Sequence, residues 1–339
     1  MKKSLGVLNK MENGLERRDM FSEKVVLVTG GTGSFGNAFI RRILLTENPK
    51  KVIVFSRDEF KQSQMEKELS LKYEDAQIAD SRIRYMLGDI RDALRLKRVL
   101  AGVDIVVHAA ALKQVPALEY NPTEAISTNV DGARNLVDAC IDCGVEKLIA
   151  LSTDKAVNPV NLYGATKLCM EKVFTAANAF NETQFSCVRY GNVIGSRGSV
   201  IPFFQNLQKH NIKEFPITDL NMTRFWLTLD QAVQLVLDAF NDMGGGEIYV
   251  PRIPSMKVAE VARAIEPECT FKEIGIRPGE KMHETLVSED NANVYHLADD
   301  GLSYRAEAGY TSDTNDKWLS AWELRRILKL DDGFGGIDG

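Results

Sequence analysis

Val25-Val26-Leu27-Val28-Thr29-Gly30-Gly31-Thr32-Gly33-Ser34-Phe35-Gly36 is the stretch on which the fold turns. A short apolar run passes directly into a G-x-x-G-x-x-G pattern. The run reads as a buried strand closed by a turn signal. Phe35, Phe39, Ile43 and Leu44 then recur at helical spacing, predicting a helix from about Gly33 to Thr46. Glycines between a strand and a helix permit a tight turn, close approach of a pyrophosphate and close helix–strand packing. The first N–H groups of such a helix bind anions. Gly30, Thr32, Gly33, Ser34, Phe35 and Gly36 are therefore candidates for holding a dinucleotide.

Outward from that stretch, strands and helices alternate. Strands are predicted at Lys51 to Phe55, Ile83 to Leu87, Ile105 to His108, Lys147 to Ser152 and Phe185 to Tyr190. Helices are predicted at Asp58 to Tyr73, Asp92 to Leu100, Asn121 to Cys143 and Tyr163 to Phe180. This alternation indicates an α/β fold with a doubly wound parallel sheet. After Gly191 the pattern loosens. Helices are expected near 202–210, 230–243, 258–265 and 318–328, with a strand at 247–250. The expected organisation is a dinucleotide-binding domain over 21–190 and a smaller C-terminal substrate-binding lobe over 191–330, some of whose segments return to the first domain. Residues 1–20 read as a mobile extension, with Met20 near the domain start, and 331–339 as a mobile Gly/Asp-rich tail.

The chain has 339 residues, 44% apolar and 26% charged, with a net charge of −5. That balance argues against non-specific nucleic-acid binding. No run of 18 apolar residues reads as a membrane span. The N-terminal residues lack the apolar core of a secretory signal. Five scattered cysteines suit a reducing, cytoplasmic setting. Cys140-x-x-Cys143 has no second pair, so it reads as helix packing, and no metal site is expected.

Further candidates for the cofactor follow the strands. Ser56, Arg57 and Asp58 end the second strand, and Lys61 lies one turn on. An acidic residue there holds a ribose 2′-hydroxyl, whereas Arg accommodates a 2′-phosphate. Ser56 and Arg57 are both phosphate partners, so NADP is favoured over NAD. Asp89 and Ile90 follow the third strand, where they reach the adenine. Ala109, Ala110 and Ala111 follow the fourth and are small enough for a close approach, with His108 read as a satisfied histidine. Val193 completes the set.

Thr153-Asp154-Lys155 and Tyr163-Gly164-Ala165-Thr166-Lys167 carry the candidate chemistry. Tyr163 and Lys167 stand at i, i+4, on one face of a helix. An ammonium beside a phenol lowers the Tyr pKa from about 10. Such a Tyr removes a hydroxyl proton while a nicotinamide takes hydride, and both residues are also cofactor candidates. Asp154 and Lys155 add an acid and a second base, which a simple alcohol oxidation does not need. They point to a further proton abstraction with loss of water.

The Gly-rich turn, His108-Ala109-Ala110-Ala111 and Tyr163-x-x-x-Lys167 together resemble the extended short-chain dehydrogenase/reductases, which have a Rossmann fold. Ser56-Arg57-Asp58-Glu59, Ala111 to Pro116, Ser152 to Ala156, Asn158 to Tyr163 and Arg189 to Val193 resemble a narrower group, the inverting UDP-N-acetylglucosamine 4,6-dehydratases. The resemblance runs from about Lys24 to Glu284. It implies that Tyr163 deprotonates the 4-hydroxyl, Lys155 removes the carbon-5 proton, Asp154 helps the 6-hydroxyl leave, and Thr153 bonds the 4-hydroxyl. It implies NADP, a UDP-N-acetylglucosamine substrate, a homo-oligomer (hexamer or dimer) and a first step toward pseudaminic acid.

UDP-sugar binding needs cations and polar contacts. Lys113, Asn192, Arg197 and Ser199 are candidates near the sugar and diphosphate, the last two in a Gly/Ser-rich loop. Thr218, Arg224, Arg277 and Glu280 are later candidates, and Arg277-Pro278-Gly279-Glu280-Lys281 resembles the nucleotide-binding turn of related enzymes. Asn129 is a candidate support for Lys167 or a helix-surface residue. A UDP-sugar 4-epimerase, which has no use for Asp154-Lys155, and a non-catalytic NADP-binding scaffold remain as alternatives.

Overall fold

The computed structural model describes residues 20–72, 82–180, 182–196, 198–289, 293–297 and 303–330. Most of the expected N-terminal extension, the Arg197 position and the tail lie outside these residues. Six parallel strands form the centre: β1 (Val25–Thr29), β2 (Lys51–Ser56), β3 (Ile83–Leu87), β4 (Ile105–His108), β5 (Lys147–Leu151) and β6 (Gln184–Val188). Their spatial order is β3-β2-β1-β4-β5-β6, so the winding reverses between β1 and β4. In such sheets a ligand crevice opens beyond the carboxyl ends of the strands at that reversal.

Beyond β6 the chain forms β7 (Asn192–Val193), β8 (Glu214–Ile217), β9 (Thr223–Leu227), β10 (Ile248–Val250), β11 (Ser255–Lys257), β12 (Thr270–Glu273), β13 (Thr285–Val287), β14 (Val294–Leu297), β15 (Ser303–Arg305) and β16 (Tyr310–Thr311). β10, β14 and β15 return to the main sheet, extending it to nine strands, with β15 antiparallel. The remaining C-terminal segments build a second apolar cluster, with Phe204, Phe215, Trp226, Val261, Ile265 and Leu324 at its centre. The helices Val200–Lys209, Val258–Ile265 and Ala321–Leu328 close over it. Among the described residues no helix is long and apolar enough to cross a membrane.

Most predicted elements agree with the structure to within a few residues. The expected single helix over 121–143 does not. It is Pro122–Ile126, a π-helical turn at Ser127–Asp131, then Gly132–Cys143, preceded by a short helix Val115–Tyr120. The widened turn carries Asn129, whose amide both accepts from Leu112 N–H and donates to Leu112 C=O, each at 2.9 Å. Helix periodicity continues through such a turn, so the insertion leaves no mark on the apolar pattern. Most of the short C-terminal strands were also missed, because two to five residues carry too little alternation to register.

Candidate active site

A cavity of about 780 Å³ follows the carboxyl ends of β1, β2, β4 and β5. One end is built by the glycine turn. Gly30 has φ +65°, and a Cβ there would stand 2.8 Å from Ala110 N and 2.9 Å from the Ala109 carbonyl. A Cβ on Gly36 would lie 2.6 Å from Gly31 Cα. The turn is thus compressed between its own helix and the 109–110 segment, which no side chain permits. Gly33 caps the helix Ser34–Thr46 without a side-chain bond, which directs the first-turn N–H groups at a ligand. Thr29 Oγ1 fixes the facing loop by accepting from Ala110 N–H at 3.2 Å and pairing with His108 Nδ1 at 2.8 Å. This cradle fits a dinucleotide pyrophosphate.

Thr32, Gly33, Ser34, Phe35, Gly36, Ala109, Ala110, Ala111 and Val193 all line the cavity, as do Ser56, Arg57, Asp58, Lys61 and Ile90 at its far end. Lys61 is paired with Asp58 at 2.7 Å. Asp89 stands outside the lining. Its carboxylate is bonded by Arg91 at 2.8 and 3.1 Å and by Arg57 at 3.4 Å. Burial opposes its charge, yet the Arg91 guanidinium, with Arg57, holds Asp89 down to about 2. Asp89 therefore steadies Arg57, whose side chain is half exposed.

At the other end, Thr153, Lys155, Tyr163 and Lys167 face the same space. Thr153 is the N-cap of a single 3-10 turn, Asp154–Ala156, directly after β5. Its hydroxyl donates to Asp154 Oδ1 at 2.9 Å and interacts with the Tyr163 phenol. Lys155 Nζ donates to the same Asp154 oxygen at 3.0 Å. Gly164 explains why this turn lies so close to the Tyr helix: a Cβ there would run into the Lys155 carbonyl oxygen.

Two electrostatic expectations need correction. Lys167 was expected to lower the Tyr163 pKa, but burial pushes the phenol up to about 12, and the cation that opposes this is Lys155. Lys167 Nζ instead donates to the Leu151 carbonyl at 2.5 Å and contacts Met170 Sδ, and burial brings it down to about 8. Lys155 was read as a second base, a role that needs its neutral amine. Burial does act in that direction, but Asp154 and Glu284 outweigh it and raise Lys155 above its ordinary value.

Of the substrate candidates, Lys113, Asn192 and Ser199 line the cavity. Arg197 falls outside the described residues. Thr218, Arg277 and Glu280 form one hydrogen-bonded group away from the lining, with Glu280 Oε2 accepting from Thr218 at 3.4 Å and from Arg277 N–H at 3.3 Å. That turn is tied to the Tyr helix by Asn161, which donates to Gly279 C=O at 2.8 Å. Arg224 is buried and spends its terminal nitrogens on the carbonyls of Thr223, Lys281 and Met282, so it is not placed to meet a diphosphate. Asn129 supports Leu112 and Thr166 rather than Lys167 itself.

The polysaccharide biosynthesis protein family matches over residues 26–302. This chain belongs to that family. A Campylobacter jejuni relative named UDP-N-acetylglucosamine 4,6-dehydratase (inverting) is 45% identical over 93% of this chain and all of its own length. A Rickettsia canadensis relative named UDP-glucose 4-epimerase is 44% identical over 83% of this chain and 82% of its own length. Among solved structures, Pen from Bacillus thuringiensis superposes with a TM-score of 0.81 at 37% identity, covering 91% of this chain and 98% of that one.

Two features of this family member escaped the sequence reading. Gln114 lines the cavity beside the Gly/Ser-rich loop, and a Cβ on Gly198 would meet Gln114 Nε2 at 2.6 Å. Glu284 is a buried carboxylate 3.3 Å from Lys155 Nζ. The dense charge in Glu280-Lys281-Met282-His283-Glu284 was a visible signal, but nothing in the spacing linked it to Lys155, which lies far earlier in the chain.

Proposed function

We propose that the protein is an inverting UDP-N-acetylglucosamine 4,6-dehydratase that uses NADP. The observation that carries this reading is the Asp154–Lys155 pair, 3.0 Å apart, set beside Tyr163 at one end of a cavity whose other end fits a dinucleotide. The glycine turn at 30–36 and the alanines at 109–111 would hold the dinucleotide, which would supply a hydride acceptor for carbon 4 and a donor for carbon 6. Tyr163 takes the 4-hydroxyl proton, and the row Tyr163, Thr153, Asp154 offers that proton a route to the carboxyl. Ketone formation acidifies the carbon-5 proton. Lys155, in its amine form, removes it; the C–H electron pair becomes a carbon–carbon double bond, and the carbon 6–oxygen bond breaks. The departing hydroxide takes a proton from Asp154 and leaves as water. Lys155 passes its proton to solvent, and water protonates carbon 5 from the opposite face as hydride returns to carbon 6, which inverts that centre and gives UDP-2-acetamido-2,6-dideoxy-β-L-arabino-hexos-4-ulose. Such a product suits a first step toward pseudaminic acid.

Arg57, with Ser56 and Lys61, supports the NADP preference, because these side chains line one end of the cavity and suit a 2′-phosphate chemically. Lys113, Asn192 and Ser199 are assigned to the UDP-sugar, with Arg197 from the same loop. A homo-oligomer in the cytoplasm fits the resemblance.

A 4-epimerase is the second reading, favoured by the epimerase name of the Rickettsia relative. Incubation with UDP-N-acetylglucosamine in deuterated water, read by mass spectrometry and proton NMR, separates the two. Loss of one water with deuterium at carbon 5 is the expected result. Appearance of UDP-N-acetylgalactosamine without water loss would establish the epimerase.

A further inference from the structure

Lys155 does not meet one carboxylate but two, and the second comes from the C-terminal lobe. Glu284 Oε1 stands 3.3 Å from Lys155 Nζ and 3.8 Å from Arg224 Nε, and Glu284 Oε2 stands 3.9 Å from Lys281 Nζ. Glu284 is 2% exposed, and its Oε2 has no hydrogen-bond partner among the described residues. A buried carboxylate left partly unsatisfied is costly and is retained where it acts on a neighbour. Its backbone is held at both ends: Glu284 N–H donates to Ser312 Oγ and Ser312 N–H to Glu284 C=O, each at 2.9 Å, while Arg189 Nη1 donates to Leu286 C=O at 2.7 Å. Glu284 does not line the cavity, so it acts on the sugar only through Lys155.

The charged groups around Lys155 come from four elements: Asp154 on its own turn, Tyr163 on the Tyr helix, Arg224 on β9, and Lys281 with Glu284 on the segment leading into β13. Two carboxyl side chains, Asp154 and Glu284, thus face three basic ones, Lys155, Arg224 and Lys281, and Asp154 is not the sole acidic partner of Lys155.

We propose that Glu284 is a positioning residue for the proton transfers: it anchors Lys155 at the cavity and shares its charge, leaving Asp154 free to serve the leaving hydroxyl. This rests on the dehydratase reading above. The sign of the effect follows from the charges. Removing the Glu284 charge while keeping its shape makes the Lys155 ammonium easier to deprotonate. The rise of the rate with pH that reports the Lys155 amine then moves to lower pH.

The test compares full-length wild type, Glu284→Gln and Glu284→Asp for water loss from UDP-N-acetylglucosamine across pH, with NADP binding measured in parallel. Glu284→Gln is expected to lower the plateau kcat above the alkaline rise about tenfold or more, because Lys155 is no longer anchored, to leave KM within about twofold, and to move the rise itself to lower pH. Glu284→Asp, which keeps the carboxylate, is expected to retain the wild-type profile with a smaller loss. A Glu284→Gln profile that coincides with wild type, or one lowered equally at every pH in both variants, overturns the proposal and leaves a packing role. A wild type that converts the sugar without releasing water overturns the dehydratase reading and this role with it. If Glu284→Gln loses NADP binding through misfolding, Glu284→Met, which also removes the charge, takes its place: a rise moved to lower pH supports the proposal and an unmoved one overturns it.

Discussion

Arg189 donates through Nε and Nη2 to the two carboxylate oxygens of Glu171, at 3.0 and 2.7 Å, and both side chains are almost wholly buried. The pair joins the end of β6 to the helix that carries Tyr163. Ser152, next to the Asp154–Ala156 turn, donates to Glu171 Oε1 at 2.6 Å, and the third Arg189 nitrogen reaches Leu286. One ion pair therefore links the Asp154–Lys155 turn, the Tyr helix and the strand that follows Glu284.

Breaking that pair from one side leaves an uncompensated buried charge. Glu171→Gln is expected to cost about 3–5 kcal/mol, seen as a lower urea midpoint at unchanged slope. Replacing both residues by methionine is expected to cost less than the sum of the two single changes.

Lys155→Ala is expected to stop release of water and deuterium entry at carbon 5. Hydride transfer at carbon 4 is expected to persist at a reduced rate in that variant, because the cofactor cradle is untouched while the Tyr163 phenol loses the cation that opposes its burial. A stopped-flow absorbance change at the reduced nicotinamide, without dehydrated product by mass spectrometry, is the expected pattern. Normal dehydration would remove Lys155 from its role.

Arg57 is a half-exposed cation at the end of the cavity away from Tyr163, steadied by Asp89. Arg57→Ala is expected to weaken NADP by roughly 10- to 100-fold, the worth of a charged hydrogen bond, and NAD by much less. Calorimetric titration with each dinucleotide checks this, and an equal loss for both would show that Arg57 does not read the 2′-phosphate.

His108 is buried behind the cofactor cradle with one nitrogen on Thr29 and the other without a partner among the described residues. Burial first, and the Lys167 charge second, bring its pKa from 6.5 to about 3. Between those values the unfolded chain binds a proton that the native protein excludes. Stability from this group is therefore complete above pH 6.5 and falls by about 1.4 kcal/mol per pH unit as the pH drops toward 3. His108→Gln is expected to flatten the dependence; urea midpoints of both proteins at pH 7 and pH 5 measure the difference.

The local patterns were legible because each is written in consecutive residues. The strand–glycine–helix passage at Val25–Gly36 announces a dinucleotide turn, and the small residues at 109–111 announce a close approach. The i, i+4 spacing of Tyr163 and Lys167 places both on one helix face. The π-helical turn at Ser127–Asp131 was not legible, since apolar periodicity passes through it unchanged. The short C-terminal strands were hidden for want of length.

The sequence by itself determined the wound sheet, the cofactor turn and the presence of an acid–base pair beside a Tyr-Lys motif, because hydrophobic period and glycine spacing act over a few residues. The tertiary structure decided the proton affinities that the sequence left open. Burial raises Tyr163 and lowers Lys167, while Asp154, next to Lys155 in sequence, and Glu284, brought in from the C-terminal segment, together raise Lys155 above its ordinary value. It also turned Arg224 from a ligand candidate into a brace for the Lys281–Glu284 turn. Proton affinity depends on solvent exclusion and on charges within a few ångströms. Those neighbours are set by how distant segments pack, which no local pattern encodes.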